Sequence, residues 1–146
     1  MGQPEVPPVG AVAWTDLTVP DAEAIRDFYR AVVGWEAVAV PMGSYADYQI
    51  NAAGTDQPVA GVCHTRGVNA DLPPQWLIYV TVADMDASIA ACTRRGGSIV
   101  AGPRGMGAYG RFCVIRDPAG AFMALLEPPR PSQHQTAAST ETEQHG

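Results

Sequence analysis

Apolar and polar positions along this chain fall into one series of patterns that then recurs. From Ala11 to Val19 (AVAWTDLTV), Leu17 and Val19 alternate with Asp16 and Thr18, the period-two signature of a strand with one buried face. Pro20-Asp21 ends that strand. Asp21 is suited to cap a helix, Glu23 favours its first turn, and Ala24, Ile25, Phe28 and Val32 recur at helical spacing. Gly34 is a suitable stop. Three shorter strand candidates follow, Trp35–Val40, Tyr45–Asn51 and Pro58–His64, linked by the turn-like PMG and NAAGTD. The series reads β-α-β-β-β.

After a loop holding Pro73-Pro74 the order repeats. Trp76–Val82 reads as a strand, and Asp84 caps a helix through Met85, Ile89 and Cys92. Arg94 and Arg95 complement that helix's C-terminal dipole, and Gly96-Gly97 ends it. Ser98–Ala101, Arg111–Arg116 and Phe122–Glu127 read as strands, with Asp117-Pro118-Ala119-Gly120 as the last turn. A shift of 63 superposes Leu17 on Val80, Val19 on Val82, Asp21 on Asp84 and Gly34 on Gly97. A shift of 64 superposes Met42-Gly43-Ser44-Tyr45 on Met106-Gly107-Ala108-Tyr109. Near-identity at one place within a repeated element order points to an internal duplication.

The expected fold class is α+β: two βαβββ modules whose curved mixed sheets surround a cavity. Module 1 covers about residues 11–64 and module 2 about 75–128 of a single domain at 11–128. Residues 1–10, with three prolines, are expected to form an extended lead-in, and the polar stretch 129–146 is expected to be a disordered tail.

Composition narrows the partners. Net charge is −6 and all nine basic residues are arginine, with no basic stripe, which argues against nucleic acid. No apolar run approaches the ~20 residues of a membrane helix. The opening MGQPEVPPVG has neither a basic patch nor an apolar core, so no secretory signal is read and a cytoplasmic location is expected. Cys63, Cys92 and Cys113 lack metal-site spacing and are expected to be reduced, buried thiols.

The phrases TVPDAEAIRDFYRAVVGWE, VTVADMDASIAACTRRGGSIV and RFCVIRDPAGAFMALLEP resemble the vicinal oxygen chelate superfamily of glyoxalases, bleomycin-resistance proteins and extradiol dioxygenases, over about residues 10–128. The resemblance implies two βαβββ modules enclosing a cavity, and often a homodimer. In metal-dependent members a His stands seven residues before the helix-capping Asp, and a Glu seven after the turn Asp. The matching positions here are Trp14, Leu77 and Ala124, with about Gly61 as the fourth. None of these can bind a divalent cation. His134 and His145 lie in the tail, His64 stands at a strand end, and Asp16 and Glu127 are offset by two or three residues. No metal and no cofactor is therefore expected.

By alternation, Trp14, Asp16 and Thr18 share one face of the first strand, and Leu77, Tyr79 and Thr81 the matching face of its counterpart. These residues are expected to line the cavity floor, with Tyr48, Phe112 and Ala124 joining from other strands. The repeated loops place Met42, Tyr45, Met106 and Tyr109 near its rim. Trp35, Phe28 and Trp76 are expected in the helix-to-sheet core. An aromatic and thioether lining suits a flat or bulky organic ligand, most simply an aromatic one. Asp16, beside Trp14 and facing Tyr79, could move a proton, contact a cationic ligand or pair with Arg111.

Two functions fit. One is a metal-independent binder that sequesters an aromatic natural product, as in antibiotic self-resistance; negative charge would favour cationic compounds. The other is a metal-independent enzyme of specialised metabolism, a cyclase, isomerase or epoxide-opening catalyst using Asp16 as general acid or base with Tyr79 beside it. A third, an accessory domain with a vestigial cavity, is also open. The Asp16→Asn variant separates the first two.

Overall fold

In the computed structural model, which describes residues 6–67 and 70–129, strand and helix boundaries follow the local signals closely. The elements are β1 (Val12–Val19), α1 (Ala22–Val33), β2 (Glu36–Pro41), β3 (Ala46–Asn51), β4 (Pro58–His64), β5 (Trp76–Thr81), α2 (Met85–Arg94), β6 (Ser98–Gly105), β7 (Arg111–Arg116) and β8 (Phe122–Glu127). The expected tail from residue 130 onward, with His134 and His145, lies outside the described residues, as do residues 1–5 of the lead-in.

Both helices are capped as their sequences require. Asp21 accepts a hydrogen bond from the Ala24 backbone N–H at 3.1 Å, and Asp84 accepts one from that of Ala87 at 3.1 Å. Gly34 closes α1 with φ 84°, a left-handed conformation that its N–H uses to reach the Arg30 carbonyl. Gly43 and Gly107, equivalent glycines of the repeated loops, also have positive φ, 88° and 60°.

The strands form one curved, unclosed sheet in the order β2-β3-β4-β1-β5-β8-β7-β6. Each module contributes four strands with its first strand innermost. β1 and β4 run parallel, as do β5 and β8, and β1 meets β5 antiparallel at the seam. The seam register opposes Trp14 to Tyr79, Thr15 to Ile78 and Asp16 to Leu77. Applying the 63-residue shift exchanges these pairs, so a pseudo-twofold axis passes between Thr15 and Ile78.

The sheet's two faces have different cores. Under α1 lie Leu17, Val19, Ala22, Tyr48, Ile50, Ala60 and Val62; under α2 lie Met85, Cys113 and Leu125. On the concave side Leu72, Leu77, Tyr79, Ala101, Phe112, Val114 and Ala124 pack together, with Trp14 and Met106 at the edge. Tyr29 of α1, Trp35 and Trp76 form an aromatic trio with centroids 5.5–5.6 Å apart, and the Trp76 indole N–H donates to the Tyr29 hydroxyl at 3.1 Å. This trio ties the first module's helix to the second module's first strand.

Phe28 departs from expectation: it is 54% exposed, with its ring edge against Tyr29 rather than in the core. Ile25 and Tyr29 face the sheet, and Phe28 lies on the flank of that apolar arc. Of the cysteines, Cys113 is fully buried while Cys63 and Cys92 are partly so, and all are free.

Candidate functional site

Strand alternation brings the central predicted residues to one place. Asp16 lies opposite Gly61 on β4 and Leu77 on β5, while Tyr79 lies opposite Trp14 on β1 and Ala124 on β8. All six positions therefore share the concave face at the seam. The Tyr79 hydroxyl donates to Asp16 Oδ1 at 3.1 Å. Asp16 and Tyr79 are separated by the same 63 residues as the modules, so one structural position supplies both partners of this bond.

The electrostatics follow from burial. Desolvation pushes the Asp16 carboxyl from the ordinary carboxylate range up to about 6, against the hydrogen bonds from Tyr79 and Trp14 and with repulsion from Asp47 adding to the rise. Burial and the neighbouring Asp16 push the Tyr79 hydroxyl up as well, so it stays a proton donor at neutral pH. Cys63 is held protonated by the same burial and by Asp16 and Asp47. Its thiol is a poor nucleophile.

The four positions that match metal ligands offer no donor atoms. Leu77 and Ala124 are 1% and 0% exposed within the concave core. Trp14 packs its indole across Gly61. Among the described residues no group of three or more His, Cys, Asp or Glu side chains is gathered closely enough to hold a metal ion. The residues present do not fit a divalent cation.

Other predicted site residues are placed elsewhere. Phe112 and Ala124 join the concave cluster, and Met106 packs at its edge. Met42 and Tyr109 are 45% and 73% exposed at the two hairpins. Tyr45 packs its ring on His64, centroids 5.3 Å apart, with the Arg66 guanidinium 4.7 Å away. Tyr48 is not on the concave face: it opposes Val62, packs beneath α1 and donates to Glu23 Oε2 at 3.3 Å. It instead lines a groove of about 540 Å³ between α1 and β2, with Arg26, Arg30 and Glu36.

Arg111 does not meet Asp16. It turns to the α2 side and binds Glu127, Nε to Oε1 at 3.0 Å and Nη2 to Oε1 at 3.0 Å. Glu127 Oε2 also accepts from the Met85 N–H at 2.7 Å, anchoring the start of α2 to the end of β8. Adjacent strand residues face opposite ways, so Arg111 and Phe112 cannot share one cavity.

Sequence reasoning missed the first-module counterpart of that pair. His64 is 4% exposed and lies between Asp47, 3.4 Å from Nδ1, and Glu23, 3.1 Å from Nε2. Asp47 Oδ1 also accepts from the His64 backbone N–H at 2.8 Å. The His64 contact holds the Glu23 carboxyl below its ordinary range. His64 and Glu127 are 63 apart, and Asp47 and Arg111 are 64 apart, the two shifts of the repeat. The acid and base have changed places between modules.

Comparison with known proteins agrees with this architecture. The family model for the Glyoxalase/Bleomycin resistance protein/Dioxygenase superfamily matches residues 11–125, and the chain belongs to that superfamily. "Putative glyoxylase CFP32" of Mycobacterium tuberculosis is 31% identical over 119 residues, 82% of this chain and 44% of the relative. The anthracycline biosynthesis protein DnrV of Streptomyces peucetius is 33% identical over 127 residues, 80% of this chain and 46% of the relative. The chain thus spans less than half the length of these relatives. In fold it is similar to a Streptomyces coelicolor methylmalonyl-CoA epimerase, with TM-score 0.52, 17% identity and coverage of 84% of this chain and all of the other.

Proposed function

We propose that this chain is a metal-independent binding protein that holds an aromatic natural product on its concave face, over Trp14, Tyr79 and Phe112, and so sequesters it. The observation that carries the reading is that the four ligand positions hold Trp14, Leu77, Ala124 and Gly61, none of them a metal ligand, around the hydrogen-bonded pair Asp16 and Tyr79. Aromatic rings offer stacking area with little rotamer entropy to lose, which suits a planar ligand. A polycyclic aromatic compound is the favoured class, since two relatives at 32–33% identity are named as anthracycline biosynthesis proteins. Net charge of −6 would attract a cationic compound.

Asp16 supports a second reading. A carboxyl that titrates near 6 beside a tyrosine hydroxyl is poised to act as a general acid or base at physiological pH. In that reading the concave face holds a substrate of a cyclase, isomerase or epoxide-opening reaction while Asp16 moves a proton.

Native mass spectrometry of the purified chain mixed with small-molecule extract from its source organism tests both. A compound captured and released unchanged fits sequestration; altered mass or retention identifies an enzyme. Failure to capture any compound counts against both readings. The Asp16→Asn variant should alter binding only modestly in a sequestering protein, but lower turnover ~10²-fold or more if Asp16 is the acid–base group.

A further inference from the structure

Among the described residues, Arg104 is a cationic side chain on the concave face whose bonding is incomplete. The β6–β7 register opposes Ala101 to Val114 and Arg104 to Phe112. Ala101, Phe112 and Val114 all belong to the concave cluster, so Arg104 lies on that face in the second module. A guanidinium has five N–H donors and no acceptor. Among the described residues, Arg104 has an ion pair from Nη2 to Asp71 at 3.6 Å, longer than a hydrogen bond, and the Asp71 side chain is 72% exposed. Arg104 Nη1 is buried with no hydrogen-bond partner. The Arg104 side chain as a whole is 29% exposed, so an acceptor arriving from outside can reach the guanidinium and complete the bonding of its buried Nη1 donor. Leu72, next to Asp71, is 5% exposed in the same cluster, so this segment lies against the second module's half of the face.

We propose that Arg104 is a ligand-binding residue that takes an oxygen acceptor on the rim of the bound aromatic compound: a carboxylate, a phenolate or a ring carbonyl. The proposal rests on the concave-face binding reading above and deepens it. The fork of a guanidinium matches two acceptor lone pairs, so an incoming oxygen satisfies Nη1 and displaces the loose Asp71 contact. Asp16 and Asp47 lie in the first module, and Arg104 in the second. This division of charge orients the ligand, its oxygen-bearing edge toward module 2 and any donor or cationic group toward module 1.

The test is calorimetric titration of the full chain with anthraquinone carboxylate, using wild type and the R104M, R104K, D71N and W14A variants. Arg104→Met should weaken binding at least ~10-fold, Arg104→Lys should retain part of it, and Asp71→Asn should tighten it several-fold by removing the competing negative charge. Asp71 is exposed, so its variant folds irrespective of any effect of changing Arg104. Loss of binding in Trp14→Ala with wild-type binding in Arg104→Met would refute the Arg104 assignment while sparing the concave-face site. Wild-type binding in Trp14→Ala, or no binding by the wild type at millimolar probe, overturns both. Unchanged or weaker binding in Asp71→Asn also counts against Arg104.

Discussion

Gly61 on β4 lies so close to Asp16 on β1 that a side chain at Gly61 would crowd the Asp16 Cβ. A Cβ at Gly61 would lie 3.2 Å from the Asp16 Cβ, 3.6 Å from Trp14 Cζ2 and 3.7 Å from Trp14 Nε1. The indole would be in ordinary van der Waals contact with such a side chain, so the neighbour that must give way is Asp16. Gly61→Ala should cost about 1–3 kcal/mol through crowding. Trp14→Ala should not recover that loss in the double variant Trp14→Ala/Gly61→Ala, because the crowding is against the Asp16 Cβ and not the indole. Urea unfolding of the four-member cycle measures the coupling; a large recovery in the double variant would show that the indole, and not Asp16, is the obstacle.

Asp16 makes stability depend on pH in a direction opposite to most carboxylates. Its folded-state pKa is raised to about 6 from 3.8, so the folded protein prefers the protonated form. Stability is fully present below about pH 4 and falls as pH rises through 6, by an upper bound of about 3 kcal/mol for a shift of this size. Asp16→Asn keeps an acceptor for the Tyr79 hydroxyl and removes the charge. It should therefore raise the melting temperature at pH 8 relative to wild type and leave it nearly unchanged at pH 4. Equal effects at both pH values would contradict this account.

Tyr79→Phe removes the only donor the seam supplies to Asp16 from β5. The expected loss is about 1 kcal/mol, near the usual net value of one hydrogen bond. Losing a bond that favours the charged form should also move the Asp16 titration upward, which carbon-detected NMR of the carboxyl would register. A downward movement would mean that the bond favours the neutral acid.

Glu127 accepts from both Arg111 and the buried start of α2. Glu127→Ala should cost about 2 kcal/mol by stranding the Met85 N–H. Arg111→Met should cost less, since the guanidinium side is 41% exposed and screened by solvent. Denaturant midpoints rank the two; a larger loss for Arg111 would reverse the assignment of roles.

On α1, Ile25→Ser should destabilise by about 2 kcal/mol, whereas Phe28→Ser should stay within about 0.5 kcal/mol. Thermal unfolding decides between a buried and an exposed Phe28.

These residues also show where the sequence was readable. β4, β7 and β8 have the bounds their alternation and flanking turns indicate, because strand ends are written locally in proline, glycine and aspartate. Phe28 failed because helical periodicity defines an apolar arc but not where the sheet beneath it stops. Tyr48 failed because the concave face of module 1 is the polar one, carrying Asp16, Asp47 and Gln49, so the aromatic of β3 turns to the helix. Asp16 and Tyr79 were placed together correctly, since alternation and the repeat both act on them. Glu23, Asp47 and His64 meet only through the fold; the repeat shift linking His64 to Glu127 was the one signal available.

The seam also bears on how such a chain could diversify. A symmetric pair of identical modules would set like against like at the axis: two carboxylates that repel, or two hydroxyls without an anion. Within one polypeptide the equivalent positions are free to differ, and here Asp16 is the acceptor and Tyr79 the donor. The same freedom let His64 and Asp47 exchange polarity with Glu127 and Arg111. Two modules in one polypeptide thereby present a handed surface in place of a twofold one.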